Sequence, residues 1–276
     1  MKGLLETLFT HSSHYIQWAE GSGCQSEQHR LVSGAKLQFT LLSAPSDLKL
    51  IEKDSVLVLQ RNLPGITQAV ISSTHLTAQE RDNIAAMDRS TQISAAKAPY
   101  SITLSVSDLK GIYNPQRLAL TTIAEQSKYT VKLFRSPMGN VFNSAGGVFG
   151  HVIYEDDTPA SWAVINVEIN LGNEEPLLTF KGQCDARGEF SLAMNRLPAP
   201  DKNSINTQYE AQLTVIANLD QSADIADINQ LTAFNILEDA ALDSSEIAHL
   251  AFKFSVAQVQ RLRSENHLSI VLKTPT

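Results

Sequence analysis

Three carboxylates stand together in the loop that follows residue 154, and they could do chemistry. The residues are Glu155, Asp156 and Asp157, and His151 lies a few positions before them. Carboxylates in such a group can bind Ca²⁺ or act as acid and base. A solvated hairpin loop accounts for the same residues without any reaction, and the sequence favours that interpretation.

A second acidic stretch, residues 220–229, carries Asp220, Asp224, Asp227 and Asn229. A calcium loop of the EF-hand type needs alternating oxygen ligands, a central glycine and a terminal glutamate. That spacing is absent here. We therefore expect a helix cap or an acidic surface.

The N-terminal region holds side chains of the types that ligate zinc: His11, His14, Cys24 and His29. Zinc sites usually include a Cys-x-x-Cys pair, and this set has none. A polar N-terminal arm explains the residues better. The sequence predicts no metal site.

Nucleophilic catalysis has no local signature in this chain. There is no Gly-x-Ser-x-Gly elbow, and Cys184 has no histidine beside it in sequence. Gly146 and Gly147 are not followed by Lys-Ser/Thr, so they do not form a phosphate loop. Cys24 and Cys184 could form at most one disulfide, and we expect both to be reduced thiols. Neither catalytic residues nor a cofactor is predicted.

Three aromatic residues, Trp18, Tyr154 and Trp162, lie in or beside polar segments. Tryptophan and tyrosine are enriched in protein interfaces because they bury a large area and keep a polar group. We therefore predict these three as interaction residues. For Trp162 the alternative is that it covers the edge of a sheet within its own domain.

The composition restricts the kind of partner. The chain has 276 residues, a net charge of -7 and a pI near 5.5. Nucleic-acid binding needs a clustered basic face, which this balance disfavours. No run of about 18 apolar residues occurs, so no membrane span is predicted. The first residues lack the pattern of a secretory signal. We expect a cytoplasmic protein, either alone or within an assembled particle.

Short alternating or β-branched runs predict strands along most of the chain. One group lies at residues 34–44, 54–61, 68–76, 100–109 and 129–135, and a second group follows the Gly/Ser-rich segment 138–147. Strands spaced by roughly ten residues are typical of antiparallel sandwiches. Tyr100 and Tyr209 each open such a run after a similar order of turn, strand and loop. The expected fold is all-β, with two tandem Ig-like or prealbumin-like antiparallel β-sandwiches.

The expected domains are an N-terminal arm at 1–29, a first sandwich at 30–136, and a second sandwich with a C-terminal extension at 137–276. The arm would begin with a short amphipathic helix carrying Leu4, Leu5 and Leu8, followed by a loop. Near the C-terminus, one short helix is compatible with the helical spacing of some apolar residues. These are Ile225, Ile228 and Leu231, and then Ile236 and Ala240.

The stretch at residues 183–194 predicts a tight corner. Gly188 permits a positive φ, and Asp185 can accept backbone N–H groups across the turn. Phe190 and Leu192 would then point to the core, while Glu189 and Ser191 would point outward. The corner is predicted to be structural and to carry no reaction.

Four short motifs follow one another in this region: Gly150-His151-Val152, Thr158-Pro159-Ala160, Ala163-Val164-Ile165-Asn166-Val167 and Cys184-Asp185-Ala186-Arg187-Gly188-Glu189-Phe190. In these motifs the region resembles the carboxypeptidase regulatory-like family of prealbumin-like sandwiches. The usual small residue before the Ala-x-Val strand of that family is replaced here by Trp162. The resemblance implies an accessory or adhesive module.

Tandem sandwiches without an enzyme domain are also similar in architecture to accessory subunits of contractile phage tails and phage-tail-like particles. The sequence therefore favours a non-enzymatic structural or interaction subunit of a larger protein assembly. Two alternatives stay open. One is a carbohydrate- or surface-binding module that uses exposed aromatic residues, and the other is a hydrolase whose site is spread over several loops.

Overall fold

The protein is an all-β chain in its computed structural model. The structure describes residues 11–24, 31, 35–53, 56–62, 79, 98–123, 126–142, 144–171, 177–195, 197, 208–222, 224–225, 227–240 and 243–274. Within these ranges no helix is long and apolar enough to cross a membrane.

Eighteen strands follow one another along the described chain. The first nine are β1 (His11–Glu20), β2 (Gly23–Cys24), β3 (Leu37–Ser43), β4 (Leu48–Lys53), β5 (Val56–Asn62), β6 (Ser101–Asp108), β7 (Gln116–Thr121), β8 (Lys128–Leu133) and β9 (Gly147–Tyr154). The other nine are β10 (Val164–Asn170), β11 (Leu178–Gln183), β12 (Glu189–Ala193), β13 (Gln208–Ala217), β14 (Thr232–Ala240), β15 (Asp243–Ile247), β16 (Leu250–Ser255), β17 (Val259–Leu262) and β18 (Ile270–Lys273).

The described strands form three hydrogen-bonded sheets. One has the order β4-β5-β1-β8 and another the order β3-β6-β7. The largest follows the path β12-β9-β18-β14-β13-β10-β11-β2, with β15 beside β14, β16 beside β13 and β17 beside β9. Strand β13 pairs with β16 through residues 208–213 and with β14 through residues 215–217, while β10 pairs with residues 210–216. The partner of β14 changes in the same way, from β13 at residues 232–234 to β15 at residues 236–240, with β18 paired at residues 235–236.

The chain divides into two compact units, each built from separate stretches. Unit 1 comprises Met1–Trp18, Leu41–Thr103 and Ala119–Val131, and unit 2 comprises Ala19–Thr40, Leu104–Leu118 and Lys132–Thr276. The domain boundaries expected after residues 29 and 136 remain predictions.

The core of unit 2 follows from alternation along three long strands. Val148, Val152 and Tyr154 of β9 face the interior, and β10 and β13 contribute inward residues in the same two-residue rhythm. Phe190 is buried in this core, as predicted, and so is Leu192. Burial of each large apolar side chain stabilises the fold by about 1.5 to 3 kcal/mol.

Two pairings differ from the expected antiparallel arrangement. Strands β17 and β18 both run parallel to β9, with Val259 opposite Gly147 and Ile270 opposite Val152. Parallel neighbours require long connections, and here the chain travels from β9 through most of unit 2 before it returns. Turn signals between adjacent segments cannot reveal such a pairing.

The expected C-terminal helix is wrong in extent and position. Only Ile228–Gln230 is helical, as one 3-10 turn, and Ile236 and Ala240 lie in β14. Pairing of β14 with β13, β15 and β18 outweighs a helical spacing of two residues.

The N-terminal region also departs from expectation, because His11–Glu20, expected within a loop, forms β1 and pairs with β5. The arm helix with Leu4, Leu5 and Leu8, the strand at 68–76 and the residue His29 lie outside the described residues. Among the other expected strands, those at 34–44, 54–61, 100–109 and 129–135 are confirmed as β3, β5, β6 and β8.

Candidate functional site

The corner at residues 185–189 has the geometry that its sequence predicts. Gly188 has φ +76°, and one Asp185 carboxylate oxygen accepts the backbone N–H groups of Arg187 (2.8 Å) and Glu189 (3.0 Å). Arg187 also extends its guanidinium across the turn to Asp185 (3.1 Å) and Glu189 (2.6 Å). The corner is therefore held rigid by its own side chains.

Trp162 lies against this corner in a backbone conformation that few side chains adopt. Its φ is +62°, and its N–H donates to the carbonyl oxygen of Asp185 at 3.2 Å. The side-chain amide of Gln183 donates to the Trp162 carbonyl oxygen at 3.1 Å. A bulky residue in the left-handed region costs about 1 to 2 kcal/mol relative to glycine. Trp162 as a whole residue is half-buried, in contrast to the fully buried residues around it.

The exposure expected for the other two aromatic residues is wrong. Trp18 is 2% exposed and Tyr154 is 1% exposed. Tyr154 packs edge-on against Phe234 and donates its hydroxyl to the carbonyl oxygen of Asn218 at 2.9 Å. Burial raises the pKa of Tyr154 to about 12. Of the three predicted interaction residues, only Trp162 is not fully buried.

The acidic loop after Tyr154 is an exposed turn, as the sequence favoured. One Asp156 oxygen accepts the Thr158 N–H (3.1 Å) and the Thr158 hydroxyl (2.6 Å), and these bonds hold the pKa of Asp156 below its usual value. Glu155 lies 3.1 Å from the Lys273 ammonium group. His151 is turned to the Arg187 carbonyl oxygen and to Ser269, and not to the carboxylates.

The second acidic stretch contains a cap, as predicted. Asp227 accepts the backbone N–H of Asn229 at 3.0 Å and begins the 3-10 turn. Asp220 and Asp224 are exposed and take part in turn bonds through Ser222.

His14 and Cys24, two N-terminal residues of types that can ligate zinc, make other contacts in the structure. His14 is 5% exposed and its Nδ1 lies 2.9 Å from the carbonyl oxygen of Gln126, while Cys24 lies in β2 opposite Phe180. In the described part of the chain, no three His, Cys, Asp or Glu side chains are grouped as metal ligands.

Both cysteines are buried, and they are not joined in a disulfide. Complete burial raises the pKa of the Cys184 thiol well above its ordinary value, and the charge of Asp185 adds to the effect. A thiol that stays protonated is a poor nucleophile.

Sequence reasoning missed a buried carboxylate in unit 2. Glu20 is 5% exposed, and its oxygens accept hydrogen bonds from the Tyr113 hydroxyl (2.8 Å), Arg135 Nε (2.8 Å) and Ser22 N–H (3.0 Å). Next to Tyr113, the Asn114 amide donates to the Cys184 carbonyl oxygen at 2.9 Å. These bonds fix residues 20–22 and 113–114 and leave Glu20 without an oxygen directed at solvent.

A polar cluster in unit 1 was missed as well. The Tyr100 ring lies between the Arg61 guanidinium, 5.1 Å from the ring centroid, and the edge-on ring of His14 at 5.6 Å. Arg61 binds Asp47 with two hydrogen bonds, and this contact lowers the pKa of Asp47. Burial raises the pKa of Tyr100 to about 12, and its hydroxyl has no hydrogen-bond partner among the residues that the structure describes.

Tyr100→Phe is therefore expected to stabilise the protein by about 1 kcal/mol, because the change removes a buried donor that makes no bond. Chemical denaturation of both proteins measures the difference. Tyr154→Phe is the matched control, and it should destabilise because the Tyr154 hydroxyl is bonded. A loss of stability in Tyr100→Phe would show that the hydroxyl has a partner in solution.

The comparisons with known proteins identify no family. No protein-family model matches the chain, and no curated protein matches it. Two solved structures of an endo-fucoidan hydrolase from glycoside hydrolase family 107 align at 10% identity with TM-scores of 0.22 and 0.21, covering 92% and 91% of this chain. A leucine-rich repeat protein from Bacteroides thetaiotaomicron aligns at 9% identity and a TM-score of 0.15, covering 94% of this chain. The chain spans 27% of the length of each of these proteins, and the scores are too low to indicate a shared fold.

Proposed function

We propose that this protein is a non-enzymatic interaction subunit of a larger protein assembly and that it contacts a neighbouring subunit through Trp162. The observation that supports the proposal is the left-handed backbone of Trp162, a residue that is only half-buried. Strained residues of this kind cluster at functional sites, where the side chain is needed despite the strain.

Glycine would satisfy the backbone at this position without strain. Two hydrogen bonds of residue 162 use its backbone N–H and its carbonyl oxygen, and a glycine would keep both of them. The indole itself must therefore supply a benefit that exceeds about 1 to 2 kcal/mol. Contact with a neighbour is such a benefit, since tryptophan is among the strongest contributors to interfaces.

The surroundings of Trp162 suit a contact because they are already ordered. Ser161 donates its hydroxyl to the Ala186 carbonyl oxygen at 2.7 Å, and Arg187 is held between two carboxylates. A surface fixed in advance loses little conformational entropy when it binds.

The absence of an enzymatic role is part of the proposal and has its own support. Three buried groups of the described residues, Glu20, His14 and Cys184, are of the kinds that act as acid, base or nucleophile. Glu20 is enclosed by three donors, His14 is bonded to a backbone carbonyl group, and Cys184 is inaccessible. None of the three combines reactivity with access to a substrate.

A carbohydrate-binding module is the weaker alternative, because such a module stacks sugars on several exposed aromatic residues. Trp18 and Tyr154 are buried, so the predicted set does not supply a second exposed ring beside Trp162. A hydrolase with dispersed loops gains no support from the side chains described above. Two tandem Ig-like sandwiches of the carboxypeptidase regulatory-like kind, in a contractile, phage-tail-like particle, remain the more specific form of our proposal.

Removal of the indole is expected to release the protein from its assembly. Trp162→Ala keeps the strained backbone, whereas Trp162→Gly relieves it, so the glycine variant should be the more stable of the two by about 1 kcal/mol. Native mass spectrometry of complexes isolated from the source cells should recover both variants as free subunits.

A variant that is destabilised elsewhere separates lost contact from lost stability. Val271 is 4% exposed, and Val271→Ala should lower stability without touching Trp162. We expect this variant to stay in the complex. Retention of both folded Trp162 variants in the complex would leave the indole with a role only inside its own unit and would refute the contact.

A further inference from the structure

We infer that unit 2 carries a second docking surface, which binds an apolar partner segment flanked by carboxylate side chains. The described residues include twelve large apolar side chains that are exposed, and five of them lie along one strip. The strip consists of Leu109 (59% exposed), Met138 (90%), Val141 (73%), Phe149 (38%) and Val259 (50%).

Backbone contacts join the two loops at one end of the strip. The Ile112 carbonyl oxygen accepts the Ser136 N–H at 2.9 Å, and Ser136 donates its hydroxyl to the Gly111 carbonyl oxygen at 2.6 Å. The loop at 109–112 therefore lies against the loop at 136–142. Leu109 and Met138 belong to these two loops.

The same loop then reaches the outer face of the β12-β9-β17 strands. Asn140 donates to the Ser191 carbonyl oxygen in β12, and the Phe142 ring occupies the space beside Gly147, where a side chain would otherwise stand. Phe149 follows Gly147 by two residues on the same face of β9, and Val259 is paired with Gly147. The loop that carries Met138 and Val141 therefore lies beside the strand ends that carry Phe149 and Val259, and all four side chains are exposed.

Exposed cations border the strip. Lys36 and Lys110 flank Leu109, and Arg261 stands beside Phe149 in the sheet. None of the three makes an ion pair with a carboxylate in the described part of the chain. The nearby Asp108 carboxylate accepts four backbone N–H groups, those of Lys36, Lys110, Ile112 and Tyr113.

These cations specify the chemistry of the occupant. The whole chain has a net charge of -7, so three cations without a carboxylate partner among the described residues are a local exception. One of them, Arg261, donates from its guanidinium to the Leu268 carbonyl oxygen at 2.8 Å. Complementary charge on the partner guides its approach and fixes its register. A segment with apolar side chains and flanking Asp or Glu residues satisfies both features, whereas a basic segment would be repelled.

The strip is separate from the Trp162 contact. Gly147 and Phe149 lie at the beginning of β9, whereas Trp162 lies in the loop that follows its end. A subunit with one contact at each end of β9 could join two different neighbours. Loss of either contact should leave the other intact.

Methyl-labelled methionine gives a direct test, because Met138 is 90% exposed and Met194 is fully buried in the same protein. Two short synthetic peptides with identical leucine and phenylalanine residues serve as probes, one flanked by glutamates and one by lysines. The glutamate peptide should shift the NMR signal of the Met138 methyl group and leave that of Met194 in place. It should bind about tenfold more tightly than the lysine peptide at low salt.

Charge reversal in the protein supplies the matched control. Lys110→Glu with Arg261→Glu should reverse the preference between the two peptides, whereas Lys128→Glu, an exposed residue of unit 1, should not. Met138→Ser with Val141→Ser should weaken both peptides without altering the fold, because both side chains are exposed. Equal binding of the two peptides, or no shift at Met138, would overturn the inference. A Met138 signal that moves on dilution without peptide would show a second copy on the strip and would overturn it too.

Discussion

Glu20→Ala is expected to lower the free energy of unfolding by about 3 to 5 kcal/mol, which places it among the most damaging single changes in the chain. The loss exceeds that of an ordinary ion pair because three donors depend on one carboxylate. Removal of the carboxylate takes away the acceptor that the Tyr113 hydroxyl, the Ser22 N–H and Arg135 Nε share. Each buried donor that loses its acceptor in this way costs about 1 to 3 kcal/mol.

Two further variants locate the source of this energy. Glu20→Gln retains an acceptor oxygen and should cost less than the alanine change. Arg135→Met should also cost less, because the Arg135 side chain is 25% exposed and Glu20 keeps its other two donors. The double change Glu20→Met with Arg135→Met should be milder than the sum of the single changes, as expected for a buried pair replaced by apolar groups.

An exposed ion pair in the same unit serves as the reference. Glu210 and Lys253 lie 3.8 Å apart with side chains 75% and 65% exposed, so Glu210→Gln should change stability by less than about 0.5 kcal/mol. Urea denaturation followed by circular dichroism measures all of these proteins. A Glu20→Ala cost as small as that of Glu210→Gln would show that water reaches the network in solution.

The Glu20 network also shows why part of the site could not be predicted. His14, Ile16, Trp18 and Glu20 alternate on the buried face of β1, but two of the four are polar, so the segment has the pattern of a solvated loop. The groups that form hydrogen bonds with these buried polar residues lie far away in sequence. The partner of His14 is 112 residues distant, and the ion-pair partner of Glu20 is 115 residues distant.

The corner at 185–190 was predictable because its contacts are local. Asp185 bonds to residues two and four positions further along the chain, and the positive φ of Gly188 is a property of the turn itself. Ser191, which was predicted to point outward, is nevertheless only 7% exposed. The Asn140 side chain, from a loop about 50 residues away, donates to the Ser191 carbonyl oxygen, and such a distant contact has no signal in the local sequence.

The expected exposure of Tyr154 was wrong for a different reason. Its alternation with Val148 and Val152 already placed it on the buried face of β9. The acidic residues that follow it suggested exposure, although Tyr154 precedes the turn and belongs to the strand. Trp162 shows the opposite case. The sequence shows that Trp162 stands where the similar family has a small residue. Only the structure shows that the backbone at this position is left-handed, so that tryptophan is strained there.

Gly188→Ala is the second change with a large expected effect, about 2 to 4 kcal/mol of destabilisation. One part of the cost, about 1 kcal/mol, arises because alanine is disfavoured at φ +76°. The larger part is steric. A Cβ on Gly188 would overlap the carbonyl oxygen of Val152, which is backbone and cannot rotate away, and such overpacking costs about 1 to 3 kcal/mol.

Gly111→Ala separates the two costs, because Gly111 has a similar φ of +67° and nothing within 4 Å of its ideal Cβ position. The Gly111 variant should lose only the conformational part, about 1 kcal/mol, in the same denaturation experiment. The difference between the two variants then measures how rigidly the corner is held against β9. If Gly188→Ala cost no more than Gly111→Ala, the corner would deform easily. Trp162 would then not lie on the ordered surface that its proposed contact requires.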